Sequence, residues 1–289
     1  MSARRPARAL VSVLRLGEGG DGGGAARDEV AVEEPLELRL GRASLLVTMR
    51  TPGRDLDLVR GLLFTEGLVA RPEDVAAVAH CRDVPREARG NVVSVGLRRG
   101  ARLRSAGNLR LGLVSSACGV CGKSTLQAVL QDAPRVAPGP VVARAVLAAL
   151  PAALHLGQDL FRRTGGLHAA GLFDARGRRL ALAEDVGRHN AVDKVIGEAL
   201  RFRKPPFAEL LLVVSGRASF EIVHKARRAG IPIVCAVSAP SSLAVKLARD
   251  GRQTLVGFLR EGRCNVYCGA ERVEVTPRVR PRGRAVRRV

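Results

Sequence analysis

A chain of 289 residues with 46% hydrophobic residues and a mean hydropathy of +0.06 can bury an ordinary globular core, as one large domain or two unequal ones. No run approaches the roughly 18 apolar residues that cross a bilayer, and the first 28 residues lack the apolar centre and cleavage site of a secretory signal, so a cytoplasmic protein without a membrane partner is expected. The net charge of +21 raises nucleic-acid binding, but aromatics are 3% and Trp is absent. No basic run interleaves with stacking residues, so a basic surface that draws anionic ligands is expected rather than a specific nucleic-acid partner.

Residues 1–28 mix Arg with a Gly19-Gly20-Asp21-Gly22-Gly23-Gly24 tract and are expected to be a disordered leader. A smaller β-rich lobe, 29–135, follows. Leu36–Leu40 and Ser44–Met49 alternate as strands, a helix is predicted over Asp55–Glu66 after Thr51-Pro52-Gly53, and Asn91–Leu97 reads as a strand. Leu109–Val114 leads into Cys118-Gly119-Val120-Cys121, after which Ser124 is placed to cap a helix over Thr125–Gln131. Ala133–Pro140 reads as a linker, with the lobe boundary near Pro134–Pro140.

The second lobe, 141–275, is more regular. A helix is predicted over Val141–Leu154, and a hairpin over Gly166–Phe173 and Arg179–Glu184. A helix over Arg188–Leu200 carries an apolar stripe at 191, 192, 195, 196, 199 and 200. Leu210–Val214 and Ile231–Val237 read as strands, with a helix over Ser219–Ala229 between them. A further helix opens at Pro240, and strands over Thr254–Leu259 and Asn265–Tyr267 close the lobe. Continuous apolar strands alternating with helices predict an α/β fold: a mixed, partly parallel sheet with helices on both faces. An Arg-rich tail, 276–289, ends the chain.

Ligands of such sheets sit at the carboxyl ends of strands. Those ends are Ser215-Gly216-Arg217-Ala218-Ser219, Ser238-Ala239-Pro240-Ser241-Ser242 and Phe258-Leu259-Arg260-Glu261-Gly262-Arg263. Their small, hydroxylated and Arg side chains suit a phosphorylated ligand, which marks Ser215, Arg217 and the segment Phe258 to Arg263. In Asp185-Val186-Gly187-Arg188-His189-Asn190-Ala191-Val192-Asp193-Lys194, His189 and Asp193 stand one turn apart, where they either line a cleft or form a helix cap with an exposed ion pair.

Six cysteines in a chain this long do not form a secreted disulfide framework. The Cys118–Cys121 pair can ligate a metal, cycle through a disulfide, or carry a transferable sulfur as a persulfide. A relaxed phosphate-loop reading of Ala117–Ser124, with Glu184 or Asp185 as the magnesium ligand, leaves the two thiols without purpose. A plain dithiol oxidoreductase would need short βαβ surroundings that are missing. Zinc would have to recruit Cys264 and Cys268. On a strand those two share a face but lie about 13 Å apart, against the roughly 4 Å that two thiolates on one zinc require. They read, with Cys235 and Cys81, as packing residues, and no permanently held metal is expected. Gly166-Leu167-His168-Ala169-Ala170 before an α/β array has the order of zinc-dependent base deaminases, but Ala170 replaces their catalytic Glu and no second Cys follows Cys235 at the required spacing.

Together, Ser116–Gly122, Thr164–Ala170, Glu184–Lys194, Ser215–Glu221 and Ala236–Ala244 resemble the formate dehydrogenase accessory sulfurtransferases, the FdhD family. The resemblance runs from about Glu29 to Val275 and implies a cytidine-deaminase-like fold with a smaller lobe. It also implies a sulfur carrier that takes persulfide sulfur from a cysteine desulfurase and passes it to bis-molybdopterin guanine dinucleotide, the cofactor of formate dehydrogenase, which is bound as substrate. Cys118 would then be the persulfide carrier and Cys121 its partner. The cofactor segment would fall on Phe258, Leu259, Arg260, Glu261, Gly262 and Arg263, and a homodimer is implied. Lys123 and a following helix start would favour the Cys118 thiolate. The competing reading is a zinc-stabilised nucleotide- or nucleic-acid-binding protein.

Overall fold

The computed structural model describes residues 5–16, 24–104, 134–260 and 262–274, together with the backbone of 113–114. Cys118, Cys121, Lys123, the helix expected over Thr125–Gln131, Glu261 and the tail 276–289 lie outside the described residues.

The leader departs from expectation. Strands β1 (Arg8–Arg15) and β2 (Gly24–Ala31) pair antiparallel from Arg8↔Ala31 to Arg15↔Gly24. Arg8 and Arg163 both bridge to Glu29, so the hairpin is pinned at its base. The segment alternates too little for a buried strand because most of the hairpin faces solvent.

The first sheet runs β5-β6-β3-β4-β7. Its strands are β3 (Glu34–Leu40), β4 (Ala43–Arg50), β5 (Val75–His80), β6 (Val92–Leu97) and β7 (Leu113–Val114), with helix α1 (Asp55–Thr65) between β4 and β5. Alternation along β3 sends Leu36 and Leu38 inward. Buried Arg50 ends β4. Its guanidinium donates from Nε and Nη2 to the two Asp55 oxygens at 2.9 and 3.2 Å, and from Nη2 to the Gly90 carbonyl and to Asn91 Oδ1, so one planar group fastens the β4 end, the α1 start and the β6 approach.

After β8 (Val142–Ala143), helix α2 (Arg144–His155) and helix α3 (Asp159–Thr164) come β9 (His168–Asp174), β10 (Arg179–Asp185) and helix α4 (Arg188–Ala199). Then follow β11 (Leu210–Val214), α5 (Phe220–Arg228), β12 (Ile233–Ala236), α6 (Ser242–Asp250), β13 (Thr254–Arg260), β14 (Arg263–Cys268) and β15 (Val273–Glu274). The second sheet has the order β10-β9-β11-β12-β13-β14. Pairing is parallel only across β11-β12-β13. The expected mixed sheet is therefore present, and alternation along β11 shows why both faces are covered. Leu210, Leu212 and Val214 face a core shared with α1, α4, α5 and α6, while Leu211 and Val213 face α2 through Leu147, Leu150 and Leu154. Two boundaries shift: Val142–Ala143 pairs with β15 before α2 starts, and α6 is capped by Ser241, whose Oγ accepts from the Ala244 N–H at 3.2 Å, with Pro240 ahead of the cap.

The two sheets share one core. Residues of the first sheet, such as Leu36 and Val93, belong to the same buried cluster as Val195, Ile196 and Leu212. Helices α1 and α4 meet at paired glycines: a Cβ on Gly61 would stand 1.9 Å from the Asp193 carbonyl oxygen, and one on Gly197 would stand 1.8 Å from that of Asp57. Backbones this close tolerate no side chain at either crossing point.

Candidate functional site

The carboxyl ends of β11, β12 and β13 open on one edge of the second sheet, and hydrogen bonds hold them in step. The Ser238 N–H donates to the Gly216 carbonyl, the Ser241 N–H to that of Ala218, and the Phe258 N–H to that of Ser238. Gly257 permits this closeness, because a Cβ there would lie 2.8 Å from Pro240 Cδ. All three predicted strand ends are thus brought together at one place.

The polar segment 184–194 divides into scaffold and site. Glu184 accepts from the Leu160 and Phe161 N–H groups at 3.0 and 2.7 Å, capping α3 from a distance. Buried Asp185 accepts from the Gly187 and Thr51 N–H groups and from Asn190 Nδ2, and pairs with Lys194 at 2.7 Å. Asn190 also donates to the Met49 carbonyl. These residues join the end of β4 to the α/β half. Asp185 is therefore no magnesium ligand, as the phosphate-loop reading required.

Asp193 is a correction. It faces neither the strand-end edge nor solvent. It is buried with Lys225 at 2.8 Å and Thr65 Oγ1 at 2.7 Å, and Glu66 completes the network at 2.6 Å from Lys225. The attraction of two carboxylates outweighs burial and raises the Lys225 pKa. His189, one turn earlier, is also buried, with Nε2 3.4 Å from Ser219 Oγ and 3.7 Å from Glu221 Oε2. The neighbouring His189 imidazole holds Glu221 down at about 2, against burial.

What remains at the edge is cationic. His168 starts β9 opposite Asp185 and beside Gly216, where a Cβ would lie 3.4 Å from His168 Nδ1 and 3.9 Å from Arg188 Cδ. Burial, then the charges of Arg188, His189 and Arg217, hold the His168 imidazole below its ordinary value. Ser215 Oγ accepts from the Ala169 N–H at 2.8 Å, and Arg217 is exposed. Alongside lies a cleft of about 530 Å³ whose lining includes Leu154, Gln158, Phe161, His168, Ser215 and Val237. Sequence reasoning missed His168, Arg188 and Gln158. His168 was visible as the polar residue opening a strand, whereas Gln158 carries no pattern.

The segment 258–263 divides similarly. Leu259 is 0% exposed, packed in the core under α2, so its side chain is no ligand contact. Phe258 has φ +51° and is 39% exposed at the strand end. A bulge between Gly257 and Arg260 breaks the alternation, and Arg260 pairs with Arg263 across a tip whose Gly262 has φ +76°. Both arginines are exposed.

Cys264 and Cys268 do not share a face. A bulge opposite Leu255 and Val256 sets Leu255 against Cys268 and Val256 against Val266. Cys264 therefore packs toward α2 and Cys268 toward the opposite core. One zinc could not take both. Burial pushes both thiols up, which suits packing residues.

Comparison with known proteins adds a consistent set of matches. The profile of the FdhD/NarQ family matches residues 31–274. A protein of Nocardia farcinica named sulfur carrier protein FdhD is 54% identical over 251 residues, 86% of this chain and 88% of that protein. One of the same name from Mycobacterium tuberculosis is 51% identical over 254 residues, 85% and 92% of the two chains. The crystal structure of a protein described as a formate dehydrogenase accessory protein from Desulfotalea psychrophila superposes with a TM-score of 0.73 at 25% identity, covering 93% of this chain and all of the other.

Proposed function

The chain belongs to the FdhD/NarQ family, and from that premise we propose that it is a sulfur carrier that matures formate dehydrogenase. The observation that carries this reading is the alignment with proteins named sulfur carriers at about half identity over most of both chains. The cysteine pair supplies the chemistry.

Cys118, as thiolate, attacks the outer sulfur of a persulfide on a cysteine desulfurase. A new sulfur–sulfur bond forms on Cys118, the old one breaks, and the desulfurase thiolate leaves. Lys123 favours the attacking thiolate electrostatically. Cys121 then attacks the inner sulfur of the Cys118 persulfide, which expels hydrosulfide to the molybdenum of a bis-molybdopterin guanine dinucleotide substrate and leaves a Cys118–Cys121 disulfide. A thiol reductant reopens that disulfide. Ser215, Arg217, Phe258, Arg260 and Arg263 form the receiving edge, and its positive charge suits the diphosphates of that substrate.

The sheet order and the position of His168 fit a cytidine-deaminase-like scaffold that has lost hydrolysis, since Ala170 is buried in the core where those enzymes carry a carboxylate. Cytoplasmic operation and a homodimer complete the proposal. No helix among the described residues is long and apolar enough to cross a membrane.

The test is complementation. In cells lacking their own family member, formate dehydrogenase made alongside the wild-type chain is expected to be active, and alongside Cys118→Ala inactive. Equal activity with both would refute the carrier role.

A further inference from the structure

At the far end of α4 from Arg188, roughly 18 Å along a helix of 12 residues, a second cleft of about 340 Å³ lies between the turn that follows α4, helix α1 and the chain that enters β5. Its floor is apolar. Leu200, Val75 and Pro72 line it, and the first two pack against the buried core. Its rim is basic, with Arg60, Arg201, Arg203 and Lys204 set against the one acid among the lining residues, Glu73.

The rim cations are incompletely neutralised. Arg203 is hydrogen-bonded to Glu209 at 2.6 Å, but Arg201 lies 3.6 Å from Asp57 and Lys204 3.8 Å from Glu73, loose pairs at exposed positions that contribute little. Arg60 has no carboxylate within ion-pair range among the described residues, and its hydrogen bond to the Leu56 carbonyl is long at 3.4 Å. Beside them Phe202 is 75% exposed, with the Arg201 guanidinium 5.1 Å from its ring centre. The turn that displays this ring is fixed. The Arg201 N–H donates to the Glu198 carbonyl, and those of Phe202 and Arg203 both donate to that of Ala199. An aromatic ring held out in solvent on a fixed turn among arginines has the composition of an interface centre, already ordered for binding. The same hydrogen bonds decide what fits. With those three N–H groups engaged at the helix end, the turn offers no nest of backbone donors to a phosphate. Side-chain cations around an apolar floor suit carboxylates that flank an apolar side chain.

We propose that this cleft is a docking surface for an acidic segment of a partner protein. An apolar side chain of the segment settles over Leu200 and Val75 beside Phe202, and the Asp or Glu residues next to it pair with Arg60, Arg201 and Lys204. The surface stands apart from the strand-end edge, at the opposite end of α4, so a partner held here leaves that edge open. It does not depend on the sulfur-carrier reading.

The test is fluorescence anisotropy of the full chain with a short labelled peptide in which one Leu is set among Glu and Asp. Wild type is expected to bind it, more weakly as salt rises. Phe202→Ala and Arg60→Gln, with melting temperatures unchanged, are each expected to bind about tenfold more weakly. A peptide with Gly in place of the Leu is expected to bind wild type more weakly by a similar factor. Arg176→Gln removes the same charge from the exposed turn between β9 and β10, away from the cleft, and is expected to leave the affinity unchanged. A loss with Arg176→Gln equal to that with Arg60→Gln would reduce the binding to the general basic charge of the chain and overturn the assignment. Displacement of the peptide by an equal concentration of pyrophosphate would mark a small-anion site and overturn it as well. So would affinity unchanged in both cleft variants, or no binding of the peptide by wild type.

Discussion

Lys194 Nζ stands 2.7 Å from Asp185 Oδ2 at the junction of the two halves, and both side chains are buried. The same ammonium donates to the Thr51 carbonyl at 2.9 Å and to that of Glu184 at 3.3 Å. One ion pair thus ties the turn after β4 to the end of β10, and β7 lies beside β4 with Thr48 paired to Val114. The strand that precedes the cysteine pair in sequence and the strand end that carries Asp185, opposite His168, are fixed to each other through this pair.

Lys194→Met leaves the Asp185 carboxylate buried and uncompensated. A loss of about 3–5 kcal/mol in unfolding free energy is expected from denaturant titration. Asp185→Asn keeps one acceptor for the Gly187 N–H and Asn190 Nδ2 but sets its amide nitrogen, a donor, against the Thr51 N–H and Lys194 Nζ, so it should be destabilising as well. Equal, small losses below about 1 kcal/mol for both would show that the pair does not hold the halves together.

Gly61→Ala and Gly197→Ala each place a methyl group within 2 Å of a facing carbonyl oxygen, so α1 and α4 must separate. Each is expected to destabilise by about 1–3 kcal/mol or more, seen as a lower melting temperature. Gly96→Ala, whose nearest neighbour would be the Ala77 Cβ at 3.6 Å, should be close to neutral. A neutral Gly61→Ala would contradict the close crossing.

Glu221 gives a pH prediction. Its folded pKa of about 2 lies below the ordinary 4.5, so the His189 interaction contributes stability that is fully present above about pH 4.5 and is lost as pH falls toward 2. Urea unfolding across that window should show wild type above Glu221→Gln at pH 6, with the difference shrinking on acidification. A difference independent of pH would contradict the pairing.

The sequence made the fold legible wherever periodicity coincided with burial. The continuous apolar run of β11 and the stripe of α4 announced a covered sheet, and the strand-end rule found the shared edge of Ser215, Ser238 and Phe258. Pattern failed where a bulge reset it: neither the exposure of Phe258 beside buried Leu259 nor the opposite facing of Cys264 and Cys268 follows from spacing. Charge misled at Asp193, because a carboxylate on a helix reads as surface or cleft until a lysine from another helix, Lys225, is seen against it. The β1–β2 pairing was hidden because its solvent-facing strands carry little alternation, and Gln158 by the absence of any rule for a cap residue that does not cap. Cys118 and Cys121 were legible as chemistry, and their assignment rests on family membership.

The carrier role itself is tested most directly by mass spectrometry of the intact chain after incubation with a cysteine desulfurase and cysteine. Wild type is expected to gain the mass of one or more sulfur atoms, reversed by a thiol reductant, while Cys118→Ala, folded as judged by an unchanged melting temperature, gains none. Equal gain on the variant, or no gain on wild type, would contradict the account.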